Sequence, residues 1–268
     1  MMGKYGTILR TSISERLIYR TDFFVSTALR FAPIITTILL WRAVFAGAGR
    51  AELASYTYHD IVAYYLFSTL GRAFSSMPGL ATGITRDVRQ GQIQRFLLQP
   101  VDYLTYLLMY RVAHKLVYYM VAFVPFVILF SLCRSVLPGW PEPERLIAGL
   151  LSLLLAFLLG FHIEASLGLL SFWFLEITGF LYIMMGVNYF FSGHMIPLDL
   201  LPSLVRQIAD VLPFRYLAYF PAAVFLGKVS GAEMWRGLLT QTLWVGVWVV
   251  CSRALLARGL RRYAAYGG

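Results

Sequence analysis

The sequence predicts an all-α polytopic membrane protein, a single domain over residues 1–268 with six transmembrane helices. Of its residues 59% are hydrophobic and only 13% are charged, and the mean hydropathy is +0.68. A soluble domain is about half apolar and about a quarter charged. The apolar residues also gather into runs of the ~20 residues that a helix needs to cross a hydrocarbon core of ~30 Å. Lipid is therefore the expected solvent for much of the surface.

Six runs meet this length, and the sequence places a transmembrane helix in each. They are Phe23–Ala46, Ile61–Leu80, Tyr106–Leu132, Leu146–Leu170, Phe172–Phe191 and Trp235–Leu256. The fourth and fifth are nearly fused, which predicts a tight turn near Gly168–Ser171.

Residues 1–21, before the first run, have a mixed pattern. Ile8, Leu9 and Ile13 recur at helical spacing, with Arg10 and Arg16 between them. This pattern is typical of a helix that lies in the membrane interface. No small-residue cleavage site follows the first run, so we interpret that run as a retained span.

The basic residues predict that both termini are cytoplasmic, because cytoplasmic loops carry the excess of Lys and Arg. One side holds Lys4, Arg10, Arg16, Arg20, Arg86, Arg89, Arg95, Arg111, Lys115, Arg253, Arg258, Arg261 and Arg262. The other side holds Arg50, Arg134, Arg145, Arg206, Arg215, Lys228 and Arg236.

A polar helix is predicted at residues 84–100, in the cytoplasm between the second and third runs. Val88, Ile93 and Phe96 form a partial apolar face opposite Arg89 and Arg95. Gly91 marks a weak point or a close approach, and Pro100 ends the helix. The pattern alone fits a docking element and a helix on the membrane surface equally well.

The segment 194–228, which the orientation places outside, is apolar but divided by Pro197, Pro202, Pro213 and Pro221. No piece between these prolines is long enough to span a bilayer. Non-helical backbone at membrane depth needs protein or a water-filled cavity around it. The segment is therefore expected to be divided into short pieces that do not cross the membrane.

Ionisable residues inside the runs are candidates for function, because such groups are costly in a membrane. Arg72, Glu164 and Glu176 are the main ones. A structural ion pair of a carboxylate with Arg72 or Lys115 is the favoured interpretation, since buried charges are normally paired. Arg111 and Lys115 are expected to extend towards lipid headgroups.

Several classes of function are disfavoured. The chain has a net charge of +10, but its basic residues lie between the apolar runs and form no continuous stripe that would bind nucleic acid. The two cysteines and four histidines show no disulfide or metal-ligand spacing, and no catalytic set stands out. A nucleotide-binding P-loop needs Gly-x-x-x-x-Gly-Lys-Ser/Thr. The nearest approach, at Gly227–Lys228, lacks the first glycine and has Val229 in place of the hydroxyl.

Four motifs in order carry a family resemblance: "YRTDFF", "RDVRQGQIQRFLLQPVDYL", "LLSFWFLE" and "FFSGHMIPLDLLP" followed by "LPFRYLAYFP". Together they resemble the type-2 ATP-binding-cassette exporter permeases, over nearly the whole chain. The second motif is similar to the first cytoplasmic loop of those permeases, and the "SFW" turn to a bacterial subfamily.

The resemblance implies a permease in the bacterial inner membrane, paired with a second permease subunit and with separate ATPase subunits that bind ATP and magnesium. We expect such a permease to export small amphiphilic or lipid-like molecules. The helix 84–100 becomes a coupling helix seated on the ATPase, through Arg86, Arg89, Gly91, Arg95, Leu97 and Pro100. The resemblance also implies paired half-helices in the outer segment, which we expect at Leu198–Val211 and Phe214–Phe225, dipping into the outer leaflet. They would form an outer gate that includes Pro197, Pro202, Pro213, Phe214 and Tyr216, with Phe214 and Tyr216 near the dimer axis. The alternative is an interfacial cap that only shields the spans. The rival hypothesis is a secondary transporter in which Glu164 and Glu176 carry protons.

Overall fold

The computed structural model of the protein describes residues 2–18, 32–49, 52–53, 56–137, 139 and 141–266. Over these residues the chain is mainly helical. One small ribbon pairs β1 (Glu52–Leu53) with β2 (Tyr56–Thr57) in antiparallel register. The prediction of an all-α membrane protein is confirmed.

The described α-helices follow the chain in eleven segments. They are α1 (Met2–Ile18), α2 (Ala32–Ala48), α3 (Tyr58–Ser75), α4 (Leu80–Arg89), α5 (Gln94–Leu97), α6 (Tyr103–Leu132), α7 (Pro143–Leu169), α8 (Thr178–Phe191), α9 (Ser203–Val211), α10 (Tyr219–Phe225) and α11 (Gly231–Tyr266). Short 3₁₀ helices occupy Arg134–Val136, Leu170–Phe172, Leu198–Leu200 and Pro213–Leu217.

Three of the described helices are long and apolar enough to cross a membrane: Tyr103–Leu132, Pro143–Phe172 and Gly231–Tyr263. They contain the third, fourth and last predicted runs. Two shorter apolar helices, Pro33–Gly47 and Thr178–Phe191, match parts of the first and fifth runs. Residues 23–31 of the first run lie outside the described residues. The chain is thus a multi-pass membrane protein, and the count of six spans stays a prediction.

The second predicted run, Ile61–Leu80, is not one helix. Helix α3 ends at Ser75, and α4 begins only at Leu80. Pro78 lies in the break, where it disfavours helical backbone at the preceding residue. Gly79 has a φ of +73°, a conformation that glycine adopts without strain. The run therefore ends earlier than predicted, and α4 includes the start of the predicted coupling helix.

The described chain divides into two compact units. The first comprises Met1–Leu66 and Pro100–Pro138. Within it α1 packs against α6. Asp102 caps the start of α6 by accepting hydrogen bonds from the N–H and hydroxyl of Thr105. Ser12 of α1 is buried, and Arg111 and Lys115 of α6 are buried too. The expectation that these two cations extend to headgroups is therefore wrong.

The second unit comprises Phe67–Gln99 and Gly139–Gly268, and it is built around α7. Helix α7 packs against α4, α10 and α11. Two glycines permit close approach: a Cβ on Gly160 would lie 2.1 Å from the carbonyl oxygen of Ser75, and one on Gly168 would lie 2.9 Å from the Cα of Ala81. The end of α3 and the start of α4 thus lie directly against α7.

Candidate functional site

The predicted coupling helix is two short helices joined by a turn. Helix α4 ends at Arg89, and α5 is a single turn from Gln94 to Leu97. Between them Gly91 has a φ of +72°, and the N–H of Ile93 donates to the carbonyl oxygen of Asp87 at 3.0 Å. An L-residue rarely adopts this φ, which explains why glycine stands at this point. We call Arg86–Pro100 the coupling segment.

The coupling segment has a buried face and an exposed face, as its amphipathic pattern predicted. Val88, Ile93 and Phe96 are buried. The exposed face is polar apart from Leu98, whose exposed fraction is 88%. Its other exposed members are Arg86, Arg89, Gln90, Gln92, Gln94, Arg95, Gln99 and Pro100. The side chain of Leu97 lies outside the described part of the chain.

The end of α11 lies beside the turn of the coupling segment. A Cβ on Gly91 would lie 3.4 Å from the hydroxyl oxygen of Tyr263. The Tyr263 ring packs edge-on against Phe172, with ring centres 6.1 Å apart. Val88, Arg89, Phe172 and Tyr263 border an open cavity of about 430 Å³. The coupling segment is therefore in contact with the last helix and with the turn after α7.

The three residues predicted as buried charges lie in different environments. Glu176 is exposed in the turn before α8, and its carboxylate lies 3.9 Å from the guanidinium of Arg89. The hydroxyl and N–H of Thr178, and more weakly Arg89, hold the pKa of Glu176 below its ordinary value. The assignment of Glu176 as a buried charge is wrong, because α8 begins later than predicted and leaves this residue outside it.

Arg72 is exposed on α3, so its assignment as a buried charge is also wrong. It has no carboxylate partner among the described residues. Instead its Nη1 donates to Nε2 of His194 at 2.5 Å. Glu164 is half-buried on α7. An ion pair of either carboxylate with Arg72 is thus absent from the described structure.

The outer segment, residues 194–228, is broken into more pieces than predicted. The first expected helix, Leu198–Val211, is a 3₁₀ turn at Leu198–Leu200 followed by α9. The second, Phe214–Phe225, is a 3₁₀ helix at Pro213–Leu217 followed by α10. Breaks fall at Pro202, next to Pro213, and at Ala218, whose backbone is non-helical. Breaks thus lie at or beside Pro202 and Pro213, whereas Pro221 lies inside α10 and does not divide the segment as predicted.

Residues 213–225, the inner part of the outer segment, are enclosed by helices of the second unit. The Phe225 ring stacks on Phe67 of α3, with centres 5.1 Å apart. A Cβ on Gly71 would lie 3.0 Å from the Cα of Ala218, and one on Gly237 of α11 would lie 2.2 Å from the Phe220 ring. Helices α3 and α11 therefore pack closely against this part of the outer segment.

Gln241 of α11 anchors this part of the outer segment. Its side chain is fully buried, and Nε2 donates to the carbonyl oxygens of Ser152 at 2.9 Å and Tyr216 at 3.1 Å. Its Oε1 accepts from the Ser152 hydroxyl at 2.9 Å. Gln241 and Ser152 lie roughly 15 Å along α11 and α7 from the starts of those helices. The Tyr216 backbone thus reaches well below the helix ends.

Phe214 and Tyr216, the predicted gate aromatics, are each 5% exposed. Pro197 and Pro213 are buried as well, whereas Pro202 is exposed. The two rings are covered by their own chain, so in this structure they do not face a partner surface as expected. Helix α9 does present an apolar face, with Leu204, Ile208 and Val211 exposed.

The Gly227–Lys228 pair is a helix terminus. Gly227 follows α10 with a φ of +70°, and the N–H of Lys228 donates to the carbonyl oxygen of Ala223 at 2.9 Å. This is the Schellman arrangement that ends a helix. In a P-loop the glycine and lysine instead lead into a helix whose N-terminus holds phosphate. The local fold here therefore offers no phosphate cradle.

Sequence reasoning missed two sites. Gln241 is a polar residue in an apolar helix, and that composition was the available signal. His194 and Tyr189 could not be linked to Arg72 from the sequence, because Arg72 and His194 are far apart in the chain and neither the broken second run nor the folded outer segment was foreseen in detail.

Comparison with known proteins adds one finding. The family model described as ABC-2 family transporter protein matches residues 31–267. No curated protein matches the chain.

Proposed function

The chain belongs to the ABC-2 transporter family, and from that premise we propose that it is the permease subunit of an ATP-driven exporter of small amphiphilic or lipid-like molecules. Family membership makes it a component of membrane transport and implies association with ATP-binding-cassette ATPase subunits. The direction of transport, the class of cargo and the mode of coupling belong to the proposal.

The coupling segment is the observation that carries the proposal. Its buried side chains hold it on the second unit, while Arg89, Arg95 and Leu98 are exposed. An exposed leucine beside cations and amides fits a small docking surface with an apolar centre and a polar rim. We infer that an ATPase subunit binds this face.

Movement of the coupling segment is proposed to reach the membrane helices by two routes. One passes through Ala81 and Ile84 of α4, which lie against Gly168 of α7. The other passes from the Gly91 turn to Tyr263 of α11. Because interiors are close-packed, a push on this segment is transmitted to α7 and α11 rather than absorbed.

ATP and magnesium are proposed to bind on the partner ATPase. The support is chemical: the one Gly-Lys pair near a P-loop pattern ends a helix. A second permease subunit, identical or homologous, completes the complex. The excess of basic residues on one side favours cytoplasmic termini and a coupling segment that faces the cytoplasm of a bacterial inner membrane.

The rival hypothesis, proton-coupled transport through Glu164 and Glu176, finds less support. Glu176 is exposed, and hydrogen bonds from Thr178 hold its pKa below the ordinary value, which disfavours the proton uptake that a carrier needs. The two carboxylates also have different environments, one half-buried and one exposed.

The proposal is tested by coexpressing the chain with the products of its neighbouring genes and purifying through a tag on the permease, with an ATP-binding-cassette ATPase as the expected partner. We expect a stable complex that hydrolyses ATP. In vesicles that contain this complex, transport should continue when a protonophore collapses the proton gradient at constant ATP. Purification of the permease alone, or loss of transport with the protonophore, would contradict the proposal.

A further inference from the structure

Arg72 lies level with the centre of a membrane-crossing helix. Two contacts bracket it along α3. On one side Phe67 stacks on Phe225, whose ring occupies the space beside Gly149 of α7. On the other side the carbonyl oxygen of Ser75 lies against Gly160 of α7. Gly149 and Gly160 flank the middle of Pro143–Leu169, so Arg72 is at bilayer depth.

The length of α8 agrees with this depth. Helix α8 has 14 residues, which rise ~21 Å, less than the ~30 Å of a hydrocarbon core. His194 follows the end of this helix and accepts a hydrogen bond from Arg72 at 2.5 Å. The cluster of Arg72, Tyr189 and His194 therefore lies within the membrane rather than at its outer surface.

The cluster is a set of donors with a positive charge. Arginine has only donors, so Nε2 of His194 must accept, and the proton of this neutral imidazole is on Nδ1. The Arg72 guanidinium carbon lies 5.8 Å from the centre of the Tyr189 ring, which in turn packs edge-on against His194 at 5.2 Å. The two rings orient the guanidinium without neutralising its charge.

Both acids of the outer segment, which contains His194, are already engaged. Asp199 accepts from Tyr219 at 2.7 Å and pairs with Arg206 at 3.0 Å. Asp210 pairs with Arg215. An exposed cation at this depth is costly and is by default a candidate for function. Whatever covers Arg72 must bring negative charge.

A stripe of adaptable apolar side chains leads away from the cluster along α8. Tyr182, Met185 and Tyr189 recur at helical spacing, with exposed fractions of 66%, 62% and 46%. Aromatic rings and methionine fit varied apolar shapes. The face thus combines one anion-binding end with an apolar track.

We propose that the Arg72 cluster binds the anionic headgroup of an amphiphile, a phosphate, sulfate or carboxylate, whose apolar tail lies along Tyr182, Met185 and Tyr189. This inference rests on the proposed function, since it gives the cargo a chemical class: anionic amphiphiles. Charge complementarity argues for this occupant, because an anionic head supplies the partner that a cation within a membrane needs.

The test is photolabelling of the purified full chain in phosphatidylcholine nanodiscs, without ATP or ATPase. Three probes share one dodecyl tail with a diazirine and differ in the head: phosphate, trimethylammonium or maltoside. We expect the phosphate probe to label the peptide that contains α8 at least about tenfold more than the other two, the factor for one charge-assisted hydrogen bond. Inorganic phosphate at the same concentration should not compete, because it lacks the tail.

Variants locate the effect. Arg72→Gln should reduce phosphate labelling to the level of the maltoside probe, and Arg72→Lys should retain part of it. Arg42→Gln is the matched control, an exposed arginine in the apolar helix α2, and should label like the wild type. Equal labelling by all three heads, or undiminished labelling of Arg72→Gln, would overturn the proposal.

The comparison of head groups uses the wild type alone, so it decides the matter even where Arg72→Gln does not fold. Failure here is also separable from failure of the proposed function. If labelling is selective but the chain recruits no ATPase, the headgroup site is supported and the proposed exporter function is contradicted. ATPase recruitment without head-group selectivity would do the reverse.

Discussion

Gln241 shows how a single polar side chain holds irregular backbone inside an apolar helix bundle. It makes three hydrogen bonds to Ser152 and Tyr216 and is fully buried. Buried polar groups that lose a partner incur the full cost of desolvation. The stability of the inner part of the outer segment therefore depends on this residue.

We expect Gln241→Leu to lower the free energy of unfolding by ~1–3 kcal/mol, because the Tyr216 carbonyl and Ser152 are left without their partner. Thermal melts in detergent measure the loss. Gln207→Leu, at an exposed position of α9, is the control and should change stability by ~0.5 kcal/mol or less. Equal melting temperatures for both variants would show that the network carries no stability.

At the residue scale the sequence predicted types of position better than partners. Gly91 was correctly identified as a weak point or close approach, since glycine inside a polar helix signals one of the two. Arg72 and Glu176 were predicted as buried charges, but both are exposed, and Glu176 lies beside Arg89 rather than Arg72. Partners depend on which helices are neighbours, and a single sequence contains no direct signal for that.

Among the elements, α3 and α7 approach each other closely at one point, where Gly160 of α7 lies against the backbone of Ser75. At Gly160 a Cβ would lie 2.1 Å from the backbone oxygen of Ser75, so any side chain forces backbone apart. Gly186 of α8 has no atom within 4 Å of the same position. The two glycines form a matched pair.

Gly160→Ala should therefore destabilise the protein by ~1–3 kcal/mol through overpacking. Gly186→Ala should be neutral or stabilise by up to ~1 kcal/mol, because alanine favours helix. Melting temperatures of both variants in the same detergent check this. A stabilising Gly160→Ala would mean that α3 and α7 are not in contact at this point.

The outer segment makes a prediction about accessibility. In a background without Cys133 and Cys251, Pro202→Cys should react with an impermeant thiol reagent added outside the cell, because Pro202 is exposed. Tyr216→Cys should be protected at rest, because Tyr216 is 5% exposed. If the segment opens during ATP turnover, labelling at Tyr216 should rise. Labelling of Pro202→Cys only from the cytoplasmic side would reverse the topology.

The sequence predicted the broken course of the outer segment but not the burial of its aromatic side chains. Prolines fix where helices break, so the pieces could be counted roughly from their positions. The burial of Phe214 and Tyr216 could not be predicted, because it depends on Phe67, Gly71 and Gly237 of other helices leaving room for α10. The same limit applies to α3, where Pro78 and Gly79 were visible but were counted within a span.

At the scale of the whole molecule, composition sufficed for the fold class and the family resemblance for the function. A chain with 59% hydrophobic residues has to use lipid as solvent, whatever its packing. The order of the four motifs supported the family that the match over residues 31–267 now shows. Cargo and coupling instead depend on surfaces, which composition does not describe.

The central claim is that an ATPase subunit binds the exposed face of the coupling segment. Its most direct test is the affinity of the purified ATPase for the permease in nanodiscs, with Arg95→Glu and Leu98→Glu combined. We predict a weakening of at least about tenfold, since a lost charge-assisted contact alone is worth ~1.5–3 kcal/mol. Arg10→Glu, an exposed reversal on α1, should bind like the wild type. Equal affinity of the double variant and the wild type, with both folded, would contradict the account.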